Sequence, residues 1–268
     1  MRALTTLTAA ALTALALTPV LSASPALADA ERGFEIAAKS DRSDNGFGDS
    51  FSAAKMILRN AAGQTTEREM TFSTLERENE DVGDKSLVVF QRPRDIRSTA
   101  LLNHSKILEA DDQWLYLPAL KRVKRISSAS KSGPFVGSEF AFEDFTATEL
   151  NKFSYEYVGE DTVDGLKVFV VDRFPRYENS GYTRQRSYID QEHYQVRKLE
   201  FFDRKEALLK TLQFLDYKLY DGAFWRSHLF RMENHQTGKG TDIIYEGYEF
   251  GTGLTEADFV QGKLTQIR

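Results

Sequence analysis

Residues 114–145 read WLYLPALKRVKRISSASKSGPFVGSEFAFEDF, and this stretch decides how the chain is organised. Trp114–Leu117 is an apolar strand stopped by Pro118, which has no N–H to give to a sheet ladder. A basic cluster follows at Lys121, Arg122, Lys124 and Arg125, with Val123 and Ile126 interleaved. The small, polar run Ser127–Gly133 reads as a mobile loop. Phe135, Phe140, Phe142 and Phe145 then crowd aromatic surface around Gly137, Glu139, Glu143 and Asp144. No nucleophile stands beside a base here. Apolar surface next to a positively charged loop suits an apolar ligand, anionic or neutral. A core strand, a solvated hairpin and a packed aromatic segment account for the same residues.

Upstream, Phe34, Ala37, Ala38 and Asp41 recur near a 3.6-residue period and predict a helix over Asp29–Ser40, ended at Asp44-Asn45-Gly46. The period then changes to two. Met56 and Leu58, Met70 and Phe72, and Leu87 and Val89 mark three strands, with Gly63 and Gly83 in the turns between them. Downstream, Phe153, Tyr155 and Tyr157 alternate with polar neighbours. Asp164-Gly165 supplies the positive-φ pair of a tight hairpin, and Leu166–Asp172 returns as a strand apolar on both faces. Further strands fall at Arg184–Asp190, Val196–Phe202, Leu208–Tyr217, Ala223–Met232 and Asp242–Phe250, and Thr255 caps a last short helix. Roughly ten antiparallel strands and a few helices predict a mainly β (α+β) fold. Its one strongly curved sheet either closes into a barrel or lies open around something.

The N-terminus has the form of a secretion signal: Arg2, the uncharged apolar run Ala9–Leu17, and the A-x-A site Ala26-Leu27-Ala28. Residues 1–28 are expected to be cleaved and 29–268 to form a single domain. The apolar run is well short of the ~20 residues that span a bilayer. With no cysteine in the chain, the mature protein can be neither lipidated as a bacterial lipoprotein nor braced by a disulfide. A net charge of −5 argues against nucleic acid as the main partner.

Enzyme signatures are missing: there is no G-x-S-x-G, no H-E-x-x-H and no phosphate-cradling glycine loop. His228 and His235 are seven apart, on opposite faces of a regular strand, so a shared metal is not expected, and His104 reads as a turn residue. Glu143-Asp144 is a carboxylate pair, but adjacent residues diverge, so the pair caps or solvates the aromatic segment. No catalytic residue, metal or cofactor is assigned. Alternating aromatics mostly mean core. A subset, Phe72, Phe90, Trp114, Tyr116, Phe140 and Phe142, is the candidate lining of an apolar cavity, although periodicity does not say which face of each strand is concave. Lys121, Arg122, Lys124 and Arg125 are the candidate docking residues for an anionic membrane or an acidic partner.

The run Trp-Leu-Tyr-Leu-Pro-Ala-Leu at 114–120, the Lys/Arg pairs after it and the Gly-Ser-Glu-Phe and Phe-Glu-Asp-Phe segments resemble the periplasmic LolA-like family of outer-membrane lipoprotein-sorting proteins. So does Arg92-Pro-Arg-Asp-Ile-Arg-Ser-Thr-Ala-Leu-Leu102, and the likeness runs from about Phe34 to the C-terminus. The resemblance implies an open, LolA/LolB-like half-barrel with a few helices lying across its mouth as a lid. It also implies a monomeric periplasmic carrier, not an enzyme, with no cofactor. Such a carrier would bind acyl chains of lipids or lipoproteins and move them to or from the outer membrane. An inner-membrane transporter and an outer-membrane acceptor would be its partners. The alternative is a binding module of the same fold that senses lipid or envelope stress and acts on a membrane partner.

Overall fold

The computed structural model describes residues 25–77, 82–107 and 109–267. The expected signal, Met1–Ala28, lies outside the described residues except for Pro25–Ala28, which begin helix α1 (Pro25–Arg42). Six strands then run as an antiparallel meander: β1 (Asp49–Arg59), β2 (Thr65–Leu75), β3 (Val82–Arg92), β4 (Ala100–Lys106), β5 (Asp112–Leu117) and β6 (Arg122–Ile126). Seven more form a second meander: β7 (Phe153–Val163), β8 (Leu166–Pro175), β9 (Arg184–Asp190), β10 (Val196–Phe202), β11 (Leu208–Tyr220), β12 (Phe224–Asn234) and β13 (Gly240–Tyr245). The short β14 (Glu249–Phe250) pairs with the start of β1.

The meanders are joined at their first and last strands. β1 lies antiparallel to β13, with Ala54 opposite Tyr245 and Arg59 opposite Gly240. The sheet order is therefore β6-β5-β4-β3-β2-β1-β13-β12-β11-β10-β9-β8-β7, and β6 and β7 are its two edges. No pairing joins those edges among the described residues, so the sheet is an open half-barrel. The expected hairpin forms at Asp164 and Gly165, whose φ angles of +50° and +82° are those of a two-residue turn matched to the twist of its strands.

The two-residue period sorts side chains onto the two faces. On the inner face, Met56, Met70, Phe90, Leu101 and Leu115 join one cluster with Leu199, Leu212 and Ile243 of the second meander. On the outer face of the first meander, Val89, Ala100, Leu102 and Tyr116 are covered by Leu254, Phe259 and Leu264 of the C-terminal segment. That segment starts as expected, with Asp258 accepting hydrogen bonds from the N–H and hydroxyl of Thr255 at 2.9 and 3.0 Å.

Several expectations are corrected. The described residues form fourteen strands, including β4 over the apolar run Ala100–Leu102 and its polar continuation, and β6 within the basic cluster. Gly83 lies within β3, not in a turn. His104 is a strand residue of β4, held by a 2.7 Å contact from Nε2 to the carbonyl of Phe259. On α1, Phe34 is 43% exposed, while Ile36 is buried against β7 and β8. Helix and sheet meet closely at Gly33, where an added Cβ would lie 2.8 Å from the backbone nitrogen of Tyr157. A Gly→Ala change inside an exposed helix stabilises by about 1 kcal/mol. Gly33→Ala should do the opposite, because the contacted atoms are backbone and cannot rotate away. A lowered thermal midpoint checks this; a raised one would mean that α1 is free to shift.

Candidate functional site

Because the meanders join in the middle of the sheet, the chain leaving edge strand β6 has to reach the opposite edge at β7. Residues 127–152 make that crossing over the inner face. Phe135, Phe140, Phe142 and Phe145 point into the sheet, with the Phe135 and Phe145 rings 4.4 Å apart and Phe135 5.5 Å from Phe90. Hydrogen bonds from both meanders fix the segment. Gln113 of β5 donates to the Phe142 carbonyl at 2.8 Å, and Asn103 of β4 to that of Phe145 at 3.1 Å. From the other side, Lys210 of β11 donates to the Glu139 carbonyl at 3.0 Å and pairs with Asp144 at 2.6 Å, both side chains being nearly buried. Glu143 accepts from the N–H of Gly181 and the hydroxyl of Ser180, each at 2.8 Å, and burial raises its pKa. The adjacent carboxylates thus anchor the segment to two different places and do not solvate it, while Asp144 also caps the Phe142–Phe145 turn as expected, accepting from the Ala141 N–H at 2.7 Å. The cover over the sheet is α1 together with this segment.

The segment fills only part of the concavity. Between it, α1 and the inner face of both meanders, from Ser52, Phe72 and Val88 across to Val171 and Ile243, remains a cavity of ≈ 1170 Å³, larger than the roughly 300–1,000 Å³ of ordinary small-molecule sites. Leu199, Phe201, Leu212, Phe214, Phe230 and Ile243 supply its apolar wall. The exposed lining residues Asn45, Gly46, Thr148 and Asn151 mark its mouth, between the end of α1 and the end of the crossing segment.

Of the six residues proposed to line a cavity, Phe72 and Phe140 do so. Phe90 and Phe142 are packed beside it, under and within the crossing segment. Trp114 and Tyr116 point to the outer face, Trp114 against the ring of His104 at 5.0 Å and Tyr116 within the cluster under the C-terminal segment. In an alternating strand either set could face inward, and Leu115 does. Most of the apolar wall comes from the second meander, from the same alternation in β10–β13. The basic residues line no part of the cavity. Arg122, Lys124 and Arg125 sit on edge strand β6, Lys121 precedes it at φ +47°, and Arg125 pairs with Asp112. Charge on an edge strand also discourages pairing with another chain, which accounts for the cluster without a partner.

Three comparisons bear on what this half-barrel is. A family model described only as an uncharacterized protein family matches residues 83–266. A domain described as an outer membrane lipoprotein-sorting protein, from Vibrio parahaemolyticus, is 50% identical over 88% of this chain and 99% of its own, with a TM-score of 0.85. The chain belongs to the LolA-like family of outer-membrane lipoprotein-sorting proteins. A DUF1329 family protein from Desulfovibrio piger is 28% identical over 88% of this chain and 99% of its own, with a TM-score of 0.83. A LolA superfamily protein from Nitrosomonas europaea, 16% identical over 85% and 97% of the two chains, shares the fold with a TM-score of 0.67. No curated protein matches the chain.

The mouth of this LolA-like cavity is acidic. Asp41, Asp44, Glu76, Asp84 and Glu149 all line it. Glu76 is held by the N–H groups of Gly46 and Gly48 at 2.7 and 2.6 Å, Asp44 pairs with Arg226, and the Asp84 N–H donates to Glu149 at 3.1 Å. Burial, with the charges of Glu149, Glu76 and Asp44, raises the Asp84 pKa to about 7 against the opposing hydrogen bond from the Arg77 N–H. Folding therefore favours protonated Asp84. Its stabilising contribution is complete below the ordinary carboxylate pKa of 3.8 and is lost as pH rises through about 7. Asp84→Asn should leave the melting temperature unchanged near pH 4 and raise it by several degrees at pH 8, since a few kcal/mol are in play at 1.36 kcal/mol per pKa unit. Parallel melting curves at both pH values would show that the carboxylate ionises freely.

Proposed function

We propose that the protein is a carrier that binds acyl chains of lipids or lipoproteins in this cavity and moves them to or from the outer membrane. The observation that carries this reading is an apolar wall facing an open space of ≈ 1170 Å³ that the protein's own aromatic segment leaves unfilled. Each buried methylene is worth about 0.8 kcal/mol, so one acyl chain gains on the order of 10 kcal/mol by leaving water. A carrier has to match most of that gain and then yield its cargo to a membrane or a better acceptor. With no nucleotide-binding loop in the sequence, transfer runs on differences in affinity, and an inner-membrane donor and an outer-membrane acceptor are the partners this requires. The setting is the periplasm, reached by cleavage before Asp29, with residues 29–268 acting as one monomeric domain. The relative from Vibrio parahaemolyticus, described as a lipoprotein-sorting domain, supports the reading.

The test is binding of a fluorescent fatty-acyl probe to the purified mature protein, with one or two sites expected. Phe214→Glu puts a charge on the apolar wall and should weaken binding at least tenfold, since an unpaired charge in an apolar site costs several kcal/mol. Trp114→Leu, on the outer face, should leave it unchanged. Wild-type protein that takes up no probe would refute the carrier reading.

The four basic residues of the β5–β6 hairpin are proposed to dock on anionic head groups during hand-over. Each is worth about 1 kcal/mol near an anionic surface, screened over ~8 Å at physiological salt. Changing Lys121, Arg122, Lys124 and Arg125 together to Glu should slow probe transfer to anionic vesicles while leaving equilibrium affinity intact. Equal transfer rates at low salt would reduce the cluster to edge protection.

A further inference from the structure

Among the described residues, the cavity is lined by one cation, Arg173, that has no anionic partner. Arg173 of β8 lines it on the inner face, where it lies opposite Tyr155 of β7 and Gln185 of β9. Its Nε donates to Oε1 of Gln185 at 2.8 Å, and its guanidinium carbon stands 4.9 Å from the centre of the Phe153 ring. Among the described residues, neither terminal nitrogen makes a hydrogen bond and no carboxylate lies within ion-pairing distance.

The nearby acids are already engaged. Asp144 is paired with Lys210 at 2.6 Å and accepts from the Tyr182 hydroxyl at 2.8 Å. Asp111 is paired with Lys152 at 2.7 Å, with both side chains nearly buried. Glu143 is saturated by Gly181, Ser180 and Tyr177, and the ammonium of Lys131 stands nearby over the Tyr177 ring. These acids leave the Arg173 guanidinium without an ion-pair partner, as they do the Lys131 ammonium, but Arg173 is the one of the two that lines the cavity. Leaving a desolvated guanidinium unpaired costs free energy, which an anionic ligand group recovers. The fork of two terminal nitrogens matches the two oxygens of a carboxylate or phosphate. The Gln185 amide and the Ser187 hydroxyl, two residues apart on the same face of β9, stand beside it.

We propose that Arg173 is the head-group site of the cavity, so that the cargo is an anionic amphiphile: a carboxylate or phosphate on the guanidinium, with its acyl chain along the apolar wall of β10–β13. This rests on the acyl-carrier reading and narrows it, because the acylated end of a lipoprotein has no such anion whereas a fatty acid or a phospholipid does.

The test displaces a neutral acyl probe from the mature protein with tetradecanoate, tetradecanol and tetradecyl phosphate at neutral pH and physiological salt. At least one of the two anions should bind roughly ten-fold or more tightly than the alcohol, the gain of hydrogen bonds to a charged group. Tighter binding of the acid assigns a fatty acid; tighter binding of the phosphate assigns a phospholipid. Arg173→Gln should abolish the preference while keeping the affinity for tetradecanol, and Arg173→Lys should restore part of it. Equal affinity for the alcohol and both anions in the wild type, a comparison that needs no variant, overturns the head-group site alone. A preference that survives Arg173→Gln also overturns it. Failure of the wild type to bind the neutral probe at all removes the carrier reading and this site with it.

Discussion

The pairing of β1 with β13 is the constraint on which the rest of the molecule depends. It places the first and last long strands side by side in the middle of the sheet and sends the middle of the sequence to the two outer edges. A chain in that position cannot take a tight turn from β6 to β7. It must travel across the sheet, and the inner face is the route that buries its four phenylalanines. Connections above roughly 12–15 residues are uncommon, and this one is broken into four short 3-10 turns, at Ser128–Ser130, Phe135–Gly137, Phe142–Phe145 and Leu150–Lys152. Here the length, residues 127–152, follows from the strand order.

That crossing also explains why there is a cavity. The segment lies over β1–β5 and crosses to β8–β11, where Asp144 and Glu143 engage Lys210 and the Tyr177–Gly181 turn. It is too narrow to cover the whole inner face, so Leu199, Phe201, Leu212 and Ile243 pack into the core cluster on one side and border open space on the other. The buried pairs Lys210–Asp144 and Lys152–Asp111 add little net stability, because desolvation offsets most of their attraction. Removing one partner leaves the other charged and buried, which is costly. Their effect is to fix where the segment sits, and with it the boundary between filled and empty space.

Much of this was legible in the sequence. The two-residue period located nearly every strand, Asp164-Gly165 fixed a hairpin, and the aromatic segment after Ser127 was recognisable as the organising stretch. Its route was not legible, because the β1–β13 pairing joins residues about 190 positions apart and neither strand names its partner. The sense of the faces was hidden for a related reason. Leu115 and Trp114 alternate identically whichever of them looks inward, and a one-residue choice exchanges cavity for outer surface. The basic cluster was visible as charge, but its place on an edge strand depends on the order of the sheet. Arg173 carried no signal at all: an arginine on a strand is ordinary until its carboxylate neighbours are found committed elsewhere.

The arrangement bears on how a ligand would enter. The crossing segment is clamped by hydrogen bonds from β4, β5 and β11, so opening the cavity by lifting it would break several buried polar contacts at once, each costing about 1–3 kcal/mol if left unsatisfied. The route that breaks none of them is the existing mouth between the end of α1 and residues 148–151. There the wall is acidic, and the raised pKa of Asp84 means that its charge falls as pH drops below about 7. A ligand entering chain first passes this rim with apolar methylenes, which carboxylates neither attract nor strongly oppose, and only its head group meets the rim's field. For the proposed carrier, the empty part of the half-barrel would therefore be a preformed site whose exchange is governed by its mouth, with the aromatic segment as a fixed wall.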